Sequence, residues 1–513
     1  MEKSKRILLN TLLLTASAFI MRGIGMVFQV YISNAIGAAG IGLSELTGSV
    51  TVLAAAFAIS GARFAAMRLV SEELGKNACG NISAVMRRCL LYAAFFGVFS
   101  CAALFFSAPF IGTQWIGDAR TVLPMRVIAL SLPFLSMSAV LSGYFTAVCR
   151  VVRSAAAQLL EQLARIFVIM WLLGTIPSPS EDLESVCVCL SVGGVVGDMV
   201  SFFIQFTLYL FDRRRYGISG RKPCTHGIFR RLLAIALPLA VSSYARTALI
   251  TVQNLLIPRG LRRAGRSAEA SLSDYGMIQG MVFPVITFPS AFFYALADML
   301  VPRLTEAQVA DRNDVIASTV SRTLRLCFLF SAIFSAMLFC FSRELGYAIY
   351  RDTSVGGYIR ILSLLMPVMY LDSVTDGMLR GLGQQVYSMR INILDSALCV
   401  ILIYILLPLW AVKGYIFILF FSECFNFSLS FLRLHRIASV PVRLSVIGKV
   451  LFSAVGAVNA AVFLLRAAGL ALKAAPGSIL LHVFLSLVLF PLLALIFRCV
   501  DESDLKWFKM LFK

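Results

Sequence analysis

At 513 residues, 59% of them hydrophobic and only 14% charged, with a mean hydropathy of +0.86, the chain cannot be a water-soluble globule, which would carry about 25% charged residues. It reads as a polytopic membrane protein. The net charge of +20 does not point to nucleic acid, because the basic residues follow the loops between apolar runs.

Those runs are each about 20 residues long, the length needed to cross a hydrocarbon core of about 30 Å as a helix. They predict an all-α integral membrane fold of fourteen transmembrane helices. In chain order these cover residues 7–32, 41–62, 89–112, 124–148, 155–176, 185–211, 231–257, 274–300, 324–342, 358–380, 389–411, 413–434, 446–470 and 477–499. The first run is interrupted by Arg22 in "FIMRGIGMVFQ" and lacks a small-residue cleavage site, so it is a span rather than a cleaved signal. Glu45 falls in the second. Glu161 and Arg165 lie four apart in the fifth and can pair along one helix face. The seventh carries Arg246 in "SSYARTALITVQN", which ends at Asn254.

The tenth run holds Asp372, Asp376 and Arg380 at four-residue spacing, all on one helix face. At 1.5 Å per residue, Asp376 lies about 6 Å from Arg380 along the axis. It is expected to pair with that arginine near the cytoplasmic surface. Asp372 lies deeper, and Asp395 follows in the eleventh run.

With the N-terminus in the cytoplasm, 31 of the 46 Lys and Arg residues fall on the inner side, 12 on the outer side and three within helices. That asymmetry places both termini in the cytoplasm. The external loop with Arg259, Arg262, Arg263 and Arg266 breaks the rule. The 12 Cys are mostly scattered in apolar segments and the three His lie far apart. Neither pattern has disulfide or metal-ligand spacing, and no metal or cofactor is expected.

An internal repeat organises the chain. At a constant offset of 234, Arg88 meets Arg322, Asp118 meets Asp352, Arg126 meets Arg360, Pro133 meets Pro367 and Gly143 meets Gly377; Gly42/Gly276, Glu72/Glu306, Phe96/Phe330 and Val140/Val374 also match. Each copy carries six spans, so both enter the membrane in the same direction, as in parallel-repeat transporters. The predicted organisation is an N-terminal lobe 1–211, a basic cytoplasmic linker 212–230, a C-terminal lobe 231–434, two further helices within 446–499 and a cytoplasmic tail 500–513. A central cavity is expected between the lobes.

An arginine at the bilayer centre costs about 2.5–3.5 kcal/mol on insertion scales, so Arg22 and Arg246, one opening each lobe, should face a polar cavity. Guanidinium matches phosphate bidentately, which suits a phosphate or pyrophosphate ligand. The other reading of these residues is an interhelical salt bridge with Glu45 or Glu161. Arg22, Arg246, Glu45 and Asn254 form the candidate substrate-binding set. Asp372 and Asp395 form the candidate ion-coupling pair for H⁺ or Na⁺, or alternatively accept hydrogen bonds that fix helix packing.

"YLDSVTDGMLRGLGQQVYSMRINILDSALCVILIYILLP" (370–408), "GYIFILFFSECFNFSLSFLRL", "LIPRGL", "YGMIQGMVFPVITFPSAFF" (275–293) and the "MRGIGMVFQVYISNAIGAAGIG" opening resemble the stage V sporulation protein B family. That family belongs to the oligosaccharide flippase branch of the multidrug, oligosaccharidyl-lipid and polysaccharide exporter superfamily, related to lipid II flippases. The resemblance covers nearly the whole chain. It implies a bacterial cell-membrane transporter, not an enzyme, that moves an undecaprenyl-pyrophosphate-linked sugar to the outer leaflet for spore cortex peptidoglycan. It also implies a cavity-lining role for Arg22, in the matching Arg-x-x-Gly context, and a lipid-tail groove within 446–499. Competing readings are a cation-coupled multidrug exporter of the same superfamily, an integral-membrane glycosyltransferase and a morphogenetic scaffold. The implied partners are a lipid-linked sugar, the bilayer and a coupling ion, with no nucleic acid.

Overall fold

A computed structural model describes residues 2–75, 79–177, 182–216, 227–438 and 444–499, apart from 471, 473 and 498. Most of the predicted basic linker (217–226) and the 500–513 tail lie outside the described residues. Helices make up the described chain, with no strand among the described residues, as expected where lipid offers backbone groups no partner. Two compact units divide at Gly276/Met277.

The first unit contains α1 (Glu2–Ile59), α2 (Ala62–Gly75), α3 (Cys79–Phe110), α4 (Val122–Ala129), α5 (Leu132–Ala147), α6 (Val151–Leu173), α7 (Leu183–Tyr216), α8 (Ile228–Arg263) and α9 (Ala268–Gly276). Its core joins Ala65, Ala66 and Leu69 of α2 to Met86 and Cys89 of α3, Val140 and Leu141 of α5, and Leu232 and Ala236 of α8. On the outer faces Phe95, Phe99 and Phe106 of α3 and Phe167 and Trp171 of α6 remain exposed, as side chains meeting lipid tails should.

The repeat assigns α8 and α9 to the second lobe, yet they fall in the first unit because they pack along α1. Arg231 pairs with Glu72 and, at 3.1 Å, with Glu73. Tyr244 donates to Ser60 Oγ at 2.6 Å and Thr251 to the Ser49 carbonyl at 3.1 Å. Farther along, Arg259 donates to the Gln114 carbonyl and Arg262 to that of Gly117 at 3.5 Å, while Arg266 pairs with Asp274 at 3.3 Å. The arginines that break the expected charge rule therefore serve local structure, three of them satisfying carbonyl or carboxylate oxygens.

The second unit contains α10 (Phe283–Thr287), α11 (Ala291–Val309), α12 (Asn313–Cys340), α13 (Ser342–Tyr350), α14 (Thr353–Ser363), α15 (Met366–Gly381), α16 (Gln385–Ala438), α17 (Leu444–Ala467) and α18 (Pro476–Ile496). Leu329, Ile333 and Met337 of α12 pack with Val450, Ala454 and Val458 of α17 and Phe490 and Ala494 of α18.

Among the described residues, nine helices are long and apolar enough to span a membrane, or eleven when the two bent pairs each count as one span. The difference from fourteen has physical causes. α1 runs through the first two predicted spans with one non-helical residue, Gly37 (φ 71°), a conformation open to glycine at little cost. α16 runs through the eleventh and twelfth with Ala411 (φ 47°) at their junction. The eighth is divided among α9, a π-helical segment Met277–Val282, α10 and α11, with Pro284 and Pro289 in the broken stretch.

Local features recur between the units at the offset of 234. α4 and α5 meet at a 46° bend, α14 and α15 at 54°, with Pro133 and Pro367 opening the second member of each pair. Arg126 stacks over Phe105 at 5.4 Å and Arg360 over Phe339 at 4.7 Å. Asp118 and Asp352 each cap the following helix by accepting the backbone N–H two residues on. Burial pushes the Asp118 carboxyl up, but the Arg120 guanidinium and backbone N–H outweigh it and hold the group below the usual carboxylate range. Its stabilising contribution is therefore present at neutral pH and lost as pH falls through that lowered value.

Within the first unit, α1 and α9 cross at two glycines. A Cβ on Gly42 would lie 2.1 Å from the Leu272 carbonyl oxygen, and one on Gly276 would lie 2.0 Å from that of Ala38. Gly42→Ala is expected to cost about 1–3 kcal/mol through overpacking against backbone, read as a lower unfolding temperature in detergent. Gly48→Ala, where a Cβ meets nothing within 4 Å, should not lower that temperature, since alanine favours the helix over glycine; equal drops for the two variants would contradict the crossing.

Candidate functional site

In the first unit, helices of otherwise apolar sequence each turn one polar stripe inward. Met21, Gly25, Phe28 and Gln29 come from α1, and Leu135, Ser138, Ala139 and Ser142 from α5. Gln158, Glu161, Gln162, Arg165 and Ile166 come from α6, and Ser201 and Gln205 from α7. Every set has the three- and four-residue spacing of a single helix face. With Ile59 and Arg63 they enclose a cavity of about 550 Å³, within the range of small-molecule sites.

Its polar groups bond in a definite order. Gln162 Nε2 donates to the Met21 carbonyl at 3.0 Å. The absence of a side chain at Gly25 admits this amide, since a Cβ there would stand 3.2 Å from it. Gln205 Nε2 donates to Ser138 Oγ at 2.7 Å and Ser201 Oγ at 3.1 Å. Arg165 pairs with Glu161 at 3.0 Å, as expected from their spacing, and also reaches Asp198 at 3.5 Å. One guanidinium thus bridges two carboxylates. Arg63, exposed at the wall, has no carboxylate partner among the described residues.

The candidate substrate-binding residues take separate places. Arg22 is half-buried beside Met21 and Gly25, which line the cavity, but it is not itself part of the wall. Arg246 is exposed on α8. Asn254 donates to Ser49 Oγ at 2.9 Å, and Ser49 donates to the Glu45 carbonyl at 2.9 Å, so Asn254 and Glu45 share the α1–α8 seam. Neither Arg246, Glu45 nor Asn254 reaches the cavity wall.

In the second unit, α15 faces both halves of α16 across a carboxylate–amide network. Asp376 accepts from Ser388 at 2.8 Å, Asn392 at 3.3 Å and Ser430 at 3.4 Å. The expected exposed pair with Arg380 gives way because this face of α15 is packed on α16. Asn426 donates to Asn392 at 3.0 Å and reaches Asp372 Oδ2 at 3.5 Å. Asp372 Oδ1 is buried without a hydrogen-bond partner. Asp395 accepts from Ser422 at 2.8 Å and Cys399 at 3.8 Å. The two carboxylates expected to couple an ion, Asp372 and Asp395, therefore belong to adjoining parts of α15 and α16, each with its own donors. No group of three or more His, Cys, Asp or Glu residues able to hold a metal ion occurs among the described residues.

Sequence reasoning missed the cavity's amides and Arg63. The signal was present in α6, where Gln158, Glu161, Gln162 and Arg165 form one polar stripe, but only its charged members drew notice. Arg63 follows the "ISG" break between α1 and α2 and reads as an ordinary loop charge.

The family model described as polysaccharide biosynthesis protein matches residues 7–308, and a second model, MatE, matches residues 269–405. Stage V sporulation protein B of Bacillus subtilis (strain 168) is 24% identical over 403 residues, covering 77% of each chain. Sporulation protein YkvU of the same organism is 20% identical over 363 residues, covering 70% of this chain and 78% of that one. In fold the chain is similar to the lipid II flippase MurJ in an inward closed conformation, with a TM-score of 0.67 and 12% identity over 95% of this chain and 99% of that one. It is also similar to an inward-facing multidrug resistance MATE family transporter of the MOP superfamily, with a TM-score of 0.63 and 13% identity over 84% of this chain and 100% of that one. The likeness establishes an all-helical, multi-pass membrane-transporter fold. These neighbours are a flippase and a transporter rather than enzymes, and the resemblance to the stage V sporulation protein B family is met by the first of the relatives.

The Arg165 network provides a stability test. Arg165→Met leaves two carboxylates facing each other, one of them, Asp198, only 9% exposed. The expected loss is on the order of 2 kcal/mol, below the range for fully buried pairs because Arg165 is partly solvated. Arg68→Met, which breaks an exposed pair with Glu72, should cost about 0–1 kcal/mol. Thermal unfolding of both variants in detergent checks the ranking, which equal shifts would overturn.

Proposed function

The chain belongs to the polysaccharide biosynthesis protein family, and from that membership we propose that it flips an undecaprenyl-pyrophosphate-linked oligosaccharide from the cytoplasmic to the outer leaflet. In this reading the cargo is a peptidoglycan precursor for the spore cortex. Fourteen helices form two six-helix lobes plus a C-terminal pair, both termini are cytoplasmic, and the lobes alternate access around a cavity. The recurrence of the bent pairs, the Arg–Phe stacks and the Asp caps at an offset of 234 supports the two-lobe organisation.

One observation carries the substrate class: a cavity of about 550 Å³ with amides, hydroxyls and charged groups among its lining residues, inside a bundle whose outer faces are apolar. A pyrophosphate and its sugars cannot cross hydrocarbon unaided, whereas a polyprenyl tail can stay in lipid. Arg63 lies in the wall without a carboxylate partner among the described residues, which favours an anionic cargo over a cationic drug. Arg22, beside that wall, and Arg246 are assigned to the pyrophosphate, with Glu45 and Asn254 bracing the adjoining seam. The carboxylate network around Asp372 and Asp395 is assigned to a coupling H⁺ or Na⁺, for which the unpartnered Asp372 Oδ1 supplies a ligand. The same acidic network favours the second reading, a cation-coupled multidrug exporter.

Reconstitution in liposomes with a fluorescent undecaprenyl-pyrophosphate oligosaccharide separates the two. Arg22→Ala and Arg246→Ala should each slow translocation by about tenfold, equivalent to roughly 1.4 kcal/mol of lost stabilisation. Wild-type rates in both variants would sink the arginine assignment. No lipid movement by the wild type, together with pH-driven efflux of a cationic dye, would establish the exporter reading instead.

Ion coupling has its own test. Asp372→Asn should abolish the acceleration that an imposed proton or Na⁺ gradient gives to translocation while leaving ungraded exchange measurable. An undiminished gradient response would return Asp372 to a packing role.

A further inference from the structure

Gln205 is 1% exposed and sits in the cavity wall of the first unit. One end of its amide is engaged by Ser138 and Ser201. The other end, Oε1, is buried with no hydrogen-bond partner. Exchanging the amide's nitrogen and oxygen does not remove the deficit, because the end away from the two serines still faces no protein group. Leaving a buried polar atom unsatisfied costs about 1–3 kcal/mol, a cost that a ligand reaching it would relieve.

The neighbouring wall has matching chemistry. Gln29, Gln158 and Gln162 add three further amides to the wall, the nitrogen of Gln162 being engaged by the Met21 carbonyl. Phe28 and Ile166 supply apolar surface between them. Amides and hydroxyls around apolar patches fit a ligand whose own rim alternates donors and acceptors around a carbon ring. A purely anionic group would leave the acceptor end of Gln205 unused.

The geometry points to this cavity as a carbohydrate subsite, in which the amide of Gln205 takes a hydroxyl or N-acetyl group of the sugar. The subsite gives the protein preference for glycosylated over bare carrier lipid. Gln205 is a specificity residue, acting on the sugar rather than on the pyrophosphate assigned to the arginines. The transport consequence rests on the flippase reading, whereas the binding consequence does not.

Two measurements on the full-length chain test this. The first is binding of a free disaccharide of N-acetylhexosamines to the detergent-solubilised protein, followed by saturation-transfer NMR and calorimetry. Gln205→Leu should weaken it by at least about tenfold, the value of a hydrogen bond of roughly 1.4 kcal/mol. Gln158→Leu, at a half-buried place in the same wall, should weaken it in the same direction and covers the case in which Gln205→Leu fails to fold. The second is the ratio of translocation rates for disaccharide-bearing and bare undecaprenyl pyrophosphate in liposomes, which should fall by about tenfold in both variants.

No disaccharide binding by the wild type, or equal binding by folded variants, would overturn the subsite. So would a loss of rate that is the same for both lipids, since that is a structural defect and not a loss of sugar preference. If the wild type moves neither lipid but binds the disaccharide through Gln205, the subsite stands and the flippase reading fails.

Discussion

Hydrocarbon supplies no hydrogen bonds, and every polar group placed in it must find a partner within the protein. That constraint accounts for the all-helical backbone and also for where the polar side chains stand. Gln162, Gln205, Ser138 and Ser201 lie on inward stripes of their helices, bonded to one another or to backbone carbonyls. The phenylalanines of α3 occupy the outward faces. A cavity can exist in such a bundle because its lining was never available to lipid.

The two units meet the constraint with different chemistry. The first holds amides, hydroxyls and a charge cluster in which Arg165 answers Glu161 and Asp198. The second holds Asp372, Asp376 and Asp395 among Asn392, Asn426, Ser388 and Ser422. These carboxylates are surrounded by amides and hydroxyls, without a guanidinium among those contacts. The division of labour proposed above, cargo in one unit and coupling ion in the other, follows from this contrast.

Much of the architecture was legible in the residues, because length, hydropathy and spacing are local properties. Gly37 falls in the gap predicted between the first two spans, and Ala411 at the junction of the eleventh and twelfth. The bends at Pro133 and Pro367 were visible as matched prolines. Tertiary partners were not legible. Asp376 looked like a partner for Arg380 four residues on, but α16 offers Ser388, Asn392 and Ser430 across the interface. Arg246 is exposed on α8, a placement that the apolar character of its helix does not reveal. The glutamines escaped notice because an uncharged amide barely disturbs a hydropathy profile, although its demand for partners is as strict as that of a hydroxyl.

The α1–α9 crossing carries a consequence for how this sequence can change. Gly42 abuts Leu272 while Gly276 abuts Ala38, and both 42/276 and 38/272 are separated by 234 positions. A contact in which each surface meets its own counterpart is isologous, the geometry of a two-fold interface between identical subunits, here realised inside one chain. Bulk added at either glycine enters the same shared space, so the tolerance of one position depends on what occupies the other. Gly97, lodged against Pro133 and Ser136, has no such counterpart in its contact and can drift independently.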